Sequence, residues 1–345
     1  MFTNESIEII NKLTQKINCN SRELRELFNY LDNHNFNYDE IVITTKKKKF
    51  PKLKFLSDKL YNKTKNYTNV MNIKWTIQTQ FLIHCELNLY SKTKISDATI
   101  NLLIYSISFI MSFSDRNKNL NINIVLLNDK KLFNNKFTPN EINSGVCSST
   151  NTDGTIHIWR IEECIKVIIH ECIHFLKFSD IRDTPELIEH YNNKYNYESY
   201  KLTINEAYTE IWARLFNCYL ASKLANIHDE TIDKYKYFSY LVDIEKKFSI
   251  IQSLKILNFL NDKIKKGKKI DINKDTNVIS YYIITAEIIN NLKQFINFCK
   301  KNRNYFFLIN DFNNFVTNLN SIKFTNNNHD FNNTFRMAAT EIKIK

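Results

Sequence analysis

Val167-Ile-Ile-His-Glu-Cys-Ile-His-Phe-Leu176 is the stretch from which the rest of the chain is read. Ile168, Ile169, Cys172, Ile173 and Leu176, with Ile165 just before, recur at helical spacing, which predicts a helix with a buried apolar side. At 3.6 residues per turn, His170 and His174 stand about one turn apart on one face. Two imidazoles so placed can reach a single Zn²⁺. Glu171, rotated about 100° around the axis, can approach a water on that metal without ligating it. Two satisfied core histidines beside a stray glutamate would spell the same H-E-x-x-H. A second motif separates the two readings.

That motif is Asn205-Glu206-Ala-Tyr-Thr209-Glu210, which opens a helical run continuing to Phe216. A catalytic zinc site built on two histidines takes a third protein ligand and leaves a fourth position open. Together the two motifs resemble the gluzincin clan of metallopeptidases, in which H-E-x-x-H is followed by N-E-x-x-[S/T]-[D/E] on a later helix. The resemblance implies one Zn²⁺ per chain, held by His170, His174 and Glu206. It also implies that Glu210 orients a ligating histidine and that Asn205 fixes the ligand helix. It spans residues 121–223, and the long interval from His174 to Glu206 implies an insertion. Asp180 is a rival third ligand, placed where the metzincin pattern H-E-x-x-H-x-x-G-x-x-[H/D] ends. Lys177 stands where that pattern has glycine, and Met337 is the only methionine after the motif, so a Met-turn is lacking. Both departures favour Glu206.

Outside the motifs, helices are expected at 4–18 and 21–33, while 72–90 suits a strand or a helix. Ser96-Asp97 caps a helix running to about Phe113. A buried strand follows at 122–128, then short strands at 144–148 and 155–159 around the Asp153-Gly154 turn. Glu162 and Glu163 are expected in the first turn of the H-E-x-x-H helix, where its dipole favours carboxylates. Residues 179–199 are a lid or a plain insertion. Helical stretches are expected at 229–262, 277–301 and 303–318, with a loop or tail at 325–333. The expected fold is α+β, mostly α: an N-terminal helical module at 1–90 and a catalytic region at 91–345. Within the latter, 91–178 carries a small mixed sheet and the active-site helix, and 179–345 is a helical half bearing the third ligand.

This order is similar to the zincin metallopeptidases. In that family the last strand before the active-site helix is a sheet edge that pairs with extended peptide, which makes Thr155, Ile156, His157, Ile158 and Trp159 the candidate substrate edge. The resemblance gives Glu171 the role of general base and acid. It also implies an oxyanion donor from the C-terminal half. Tyr282 or Tyr281, in Ser280-Tyr-Tyr-Ile283, is placed like the tyrosine of the aminopeptidase branch; Tyr200 and His228 are further candidates. No acidic group at Ser144-Gly-Val-Cys147 matches that branch's G-x-M-E-N motif, so an endopeptidase is favoured.

Composition narrows the alternatives. The 345 residues include only three Gly and three Pro, too few for a phosphate-binding or dinucleotide-binding glycine loop. Seven cysteines without C-x-x-C suggest free thiols in a reducing, cytoplasmic compartment. The first residues lack the pattern of a secretory signal, and Ile100–Phe113 is too short and polar to span a bilayer. The net charge of +12 admits nucleic acid as a partner beside a peptide or protein substrate. Lys46–Lys49, with Phe50, Phe55 and Tyr61 nearby, can touch phosphates or form a solvated loop. Richness in Asn, Lys and Ile is what an A+T-rich genome encodes, such as that of a parasite or a large DNA virus, so part of the charge is compositional. Two other classes compete with the enzyme: a zinc-binding structural or virion-associated protein without turnover, and a basic nucleic-acid-binding protein. Retention of Glu171 argues against the first, and the lack of an RRM, KH, helix-turn-helix or zinc-finger signature against the second.

Overall fold

Thirteen helical segments and seven strands alternate irregularly in the computed structural model, which describes residues 1–14, 20–134, 137–266, 271–322, 331 and 333–344. The first half comprises α1 (Asn4–Leu13), α2 (Arg22–Asp32), β1 (Asn37–Tyr38), β2 (Val42–Lys47), α3 (Asp58–Thr64), β3 (Asn69–Gln78), β4 (Leu82–Ser91), α4 (Asp97–Met111) and β5 (Lys118–Val125). There follow α5 (Pro139–Ile142), β6 (Gly145–Ser149), β7 (Asp153–Ile158), α6 (Cys164–Leu176), α7 (Pro185–Tyr195), α8 (Ile204–His228) and α9 (Lys234–Lys265). A π-helical turn (Ile279–Ile284) then leads into α10 (Thr285–Asn290), α11 (Leu292–Cys299) and α12 (Phe312–Thr317). The class is α+β, with one mixed sheet.

Two compact units divide the chain: 1–31 with 131–142 and 178–340, and 32–130 with 143–177 and 341–345. The expected helical module at 1–90 therefore does not exist. Its first two helices belong to the first unit, whereas residues 37–91 supply four strands to the sheet of the second. The segment 72–90 resolves to strand because Ile73, Trp75, Ile77, Ile83, Cys85, Leu87 and Leu89 are buried at period two, which only a sheet face satisfies.

Strand order in the second unit is β1-β3-β4-β5-β7-β6, with β2 also on β3. Pairing is antiparallel for β3–β4 and β6–β7 and parallel for β4–β5 and β5–β7. Strand β7, the expected substrate edge, is thus an inner strand, and β6 is the edge beside it. Strand rank depends on which segment pairs last, and local sequence does not record that. One face of the sheet packs against helices: Trp75 donates its indole N–H to Ser108 Oγ in α4 at 2.9 Å. A Cβ on Gly154 would come within 2.5 Å of the Phe175 ring of α6. On the other face an amide ladder crosses three strands, from Asn72 to Asn88 (2.9 Å), Asn121 (3.3 Å) and Asn123. Side chains that both donate and accept satisfy one another there.

In the first unit α8 is buried nearly all round, which suits a central helix. Trp212 meets Phe306 edge-to-face at 4.8 Å and Tyr208 donates to the Phe306 carbonyl. The buried Glu245 carboxylate accepts from the backbone N–H groups of Ala339 (3.0 Å) and Thr340 (2.8 Å), tying the C-terminal segment into the core. Residues 179–199 hold α7, which is packed onto the same unit: Tyr191 and Tyr195 both donate to buried Glu287. The helices expected at 277–301 and 303–318 are shorter and broken. Residues 325–333, apart from Phe331 and Asn333, and the end of the helix expected at 4–18 lie outside the described residues.

Candidate metal centre

Helix α6 is terminated by backbone that few L-residues adopt. Glu163, its N-cap, has φ 58°, and Lys177, its C-cap, has φ 55°. Glu162 and Glu163 therefore precede the helix and do not fill its first turn. The N-terminal end is satisfied by a remote group: the Glu163 backbone N–H donates to Glu341 Oε1 at 2.9 Å. At the other end the buried Lys118 ammonium donates to the Phe175 carbonyl (3.2 Å) and to that of Asn151 (2.8 Å), meeting the negative pole of the helix. Burial lowers the Lys118 pKa, with Arg116 adding to the effect.

Between these ends the two histidines behave as their spacing predicts. Their Nε2 atoms lie 3.1 Å apart and the rings meet edge-to-face. His170 is buried and His174 half-buried. Glu171 is 7 % exposed. A Cβ on Gly145 of β6 would stand 2.8 Å from Glu171 Oε1 and 2.8 Å from Val167 Cγ1, so only glycine lets the strand lie this close to the carboxylate. Cys147, two residues along β6, has its thiol pushed up to about 12, first by burial and then by the Glu171 charge.

Helix α8 starts at Ile204 from Thr203, which has φ 59°. Asp183 provides the cap: its carboxylate accepts from the N–H groups of Leu202 (2.7 Å), Thr203 (2.8 Å) and Ile204 (2.9 Å). Asn205 Oδ1 accepts from the Ser179 hydroxyl, which anchors this helix start. Among the described residues, His170, His174 and Glu206 form the one group able to hold a metal ion, with one ligand atom from each lying within 4.8 Å of the others. Two imidazoles and a carboxylate suit a borderline cation such as Zn²⁺. Asp180 is exposed and lies outside the group. The backbone at Lys177 does turn left-handed as the metzincin glycine would, yet the aspartate beyond it is not brought in.

Glu210 is fully buried and receives Arg214 Nε at 2.9 Å. Arg214 also donates to the Ser249 hydroxyl and to the Tyr281 carbonyl (3.2 Å). Sequence reasoning missed Arg214, although Glu210 and Arg214 stand at i,i+4, the spacing of helical ion pairs. Tyr282 is a core residue: its hydroxyl donates to the Phe335 carbonyl at 2.6 Å and its ring stacks on Phe335. That hydroxyl is committed, which removes Tyr282 as oxyanion donor. Tyr281 is half-buried in the π-helical turn, a local form frequent at functional sites. Tyr200 is 83 % exposed. His228 ends α8, 22 residues beyond Glu206 and so about 33 Å along the axis, which excludes it from the site. On β7, His157 faces Phe50 at 5.9 Å, and burial, then Lys48, lower its pKa to about 4.

The chain matches no protein-family model, no curated protein and no solved structure. Among the described residues no helix is long and apolar enough to cross a membrane. Cys85, Cys164, Cys172, Cys218 and Cys299 are buried and Cys147 is half-buried.

Proposed function

We propose that the protein is a zinc metallopeptidase with a gluzincin-like site on a zincin-like fold. The observation that carries this reading is the convergence of His170, His174 and Glu206 while Glu171, adjacent in sequence to a ligand, is buried against Gly145. His170 and His174 would each present an imidazole nitrogen, and Glu206 a carboxylate oxygen, to the ion. Bound Zn²⁺ supplies Lewis acidity, polarising a carbonyl and acidifying water. Glu171 accepts the proton of the attacking water and delivers it to the leaving amine. Strand β6, at the sheet edge, offers main-chain groups to an extended peptide. Tyr281, whose carbonyl Arg214 holds, takes over from Tyr282 as the candidate oxyanion donor. An extended edge without an acidic group for a free amino terminus favours an endopeptidase.

The test is zinc content by elemental mass spectrometry beside hydrolysis of a peptide library. Wild type is expected to carry about one zinc per chain, lost in Glu206→Ala and kept in Asp180→Ala. Glu171→Gln is expected to keep the metal and lose at least about 100-fold in hydrolysis, the scale of general acid–base catalysis. Zinc absent from wild type after reconstitution overturns the reading. Zinc present with no cleavage of any peptide leaves a structural metal protein instead.

A further inference from the structure

The chain's positive charge is concentrated in one place. Between Lys46 and Lys65 stand nine lysines and one aspartate, a net +8 out of +12 for the whole chain. All nine lysines are exposed. Lys46 is paired with Glu86, Lys52 with Asp58 and Lys63 with Asp129. Lys47, Lys48, Lys49, Lys54, Lys59 and Lys65 make no ion pair among the described residues. Like charges held this close raise the local potential, and nothing in the core requires them there.

The sheet makes this run a surface. Register places Lys47 beside Asn69 and Asn69 beside Ser91, so three strand ends form one row and bring Lys92 to the lysine run. Two tyrosines stand among the ammonium groups. Lys92 Nζ lies 4.8 Å from the Tyr67 ring centroid, and Lys65 Nζ lies 5.3 Å from that of Tyr61. Both rings are half-buried and packed against a buried cluster that includes Leu56, Leu60 and Val70. They are thus held stiffly at the surface.

We propose that this face, from Lys47–Lys49 over Tyr67 and Lys92 to Tyr61 and Lys65, binds single-stranded nucleic acid. Lysines contact phosphates and release counterions, while fixed aromatic rings give unstacked bases a platform. A duplex hides its bases and gains nothing from the rings. A bilayer is disfavoured because docking there needs apolar side chains to insert, and Phe55 is the one large apolar residue exposed between Lys46 and Lys65.

The experiment is fluorescence anisotropy on the full chain from 50 to 300 mM KCl. The probes are a labelled 20-nucleotide oligothymidylate and a duplex of equal length, with sedimentation onto phosphatidylserine vesicles in parallel. Oligothymidylate is expected to bind most tightly. The K47Q/K48Q/K49Q variant is expected to bind at least about ten-fold more weakly at 100 mM KCl. Its salt slope should be shallower by about 2, at about 0.7 for each phosphate that a lysine no longer neutralises. Tyr61→Leu should weaken binding at least about five-fold with the slope unchanged, and Tyr61→Phe should restore it. K263Q/K265Q/K266Q, with the same charge removed elsewhere, should bind within two-fold of wild type. No binding at 50 mM KCl, duplex bound as tightly with Tyr61→Leu silent, a preference for vesicles, or equal weakening in both triple variants would each overturn the proposal.

Discussion

Glu171 and Gly145 illustrate how one residue's chemistry is set by the absence of another's side chain. The carboxylate occupies the space that a Cβ at 145 would need. On the proposed function, Gly145→Ala should displace Glu171 and lower peptide hydrolysis at least about ten-fold, because small misplacements of a catalytic group are costly. Zinc content should stay at wild type, since neither histidine moves; equal loss of metal would show that the glycine serves the helix instead. His157 gives a second residue-scale outcome. Its folded pKa of about 4 lies below the ordinary value of 6.5, so protonation favours the unfolded chain. Its stabilising contribution is complete above about pH 6.5 and is lost as pH falls toward 4. His157→Gln should flatten the stability profile across that window, measured by urea titration at several pH values. An unchanged profile would place the titration elsewhere.

At the scale of elements, left-handed residues stand at both ends of α6 and at the start of α8, the helices that carry the candidate metal group. Of the six non-glycine residues with positive φ among those described, Glu163, Lys177 and Thr203 flank α6 and α8. A left-handed L-residue costs about 1–2 kcal/mol. Lys177→Gly should therefore raise stability by about 1 kcal/mol, seen as a higher urea midpoint with an unchanged slope. A drop in stability would mean that the hydrogen bond from Lys177 to Asn151 at 2.8 Å outweighs the strain. The H-E-x-x-H helix was legible because its apolar spacing and its histidine spacing are both local. Its caps were not. Glu341 lies 178 residues from the N–H it accepts, and Asp183 lies 19 residues before the first N–H that it caps at the start of α8. Arg214 sits between these cases: its pairing with Glu210 is local, while its hold on Tyr281 needs the folded chain.

For the whole molecule, a metal bound only by the folded chain adds stability by mass action, about 4 kcal/mol at a free concentration 1,000 times the Kd. Dialysis against a chelator should lower the Tm of wild type and zinc should restore it. Glu206→Ala should show no zinc-dependent rise, and a rise of wild-type size in that variant would exclude Glu206 as a ligand. The sequence alone determined His170, His174 and the neighbouring Glu171, because they rest on spacing within one helix. The resemblance of the second motif singled out Glu206, and the alternation of expected helices and strands gave the α+β class. Only the tertiary structure decided that β6 lies at the edge beside inner β7, that residues 37–91 are strands of the same sheet, and that the Tyr282 hydroxyl is spent on the Phe335 carbonyl. Those facts depend on which distant segments pair, and hydrogen bonds between segments far apart in the chain leave no periodicity in either one.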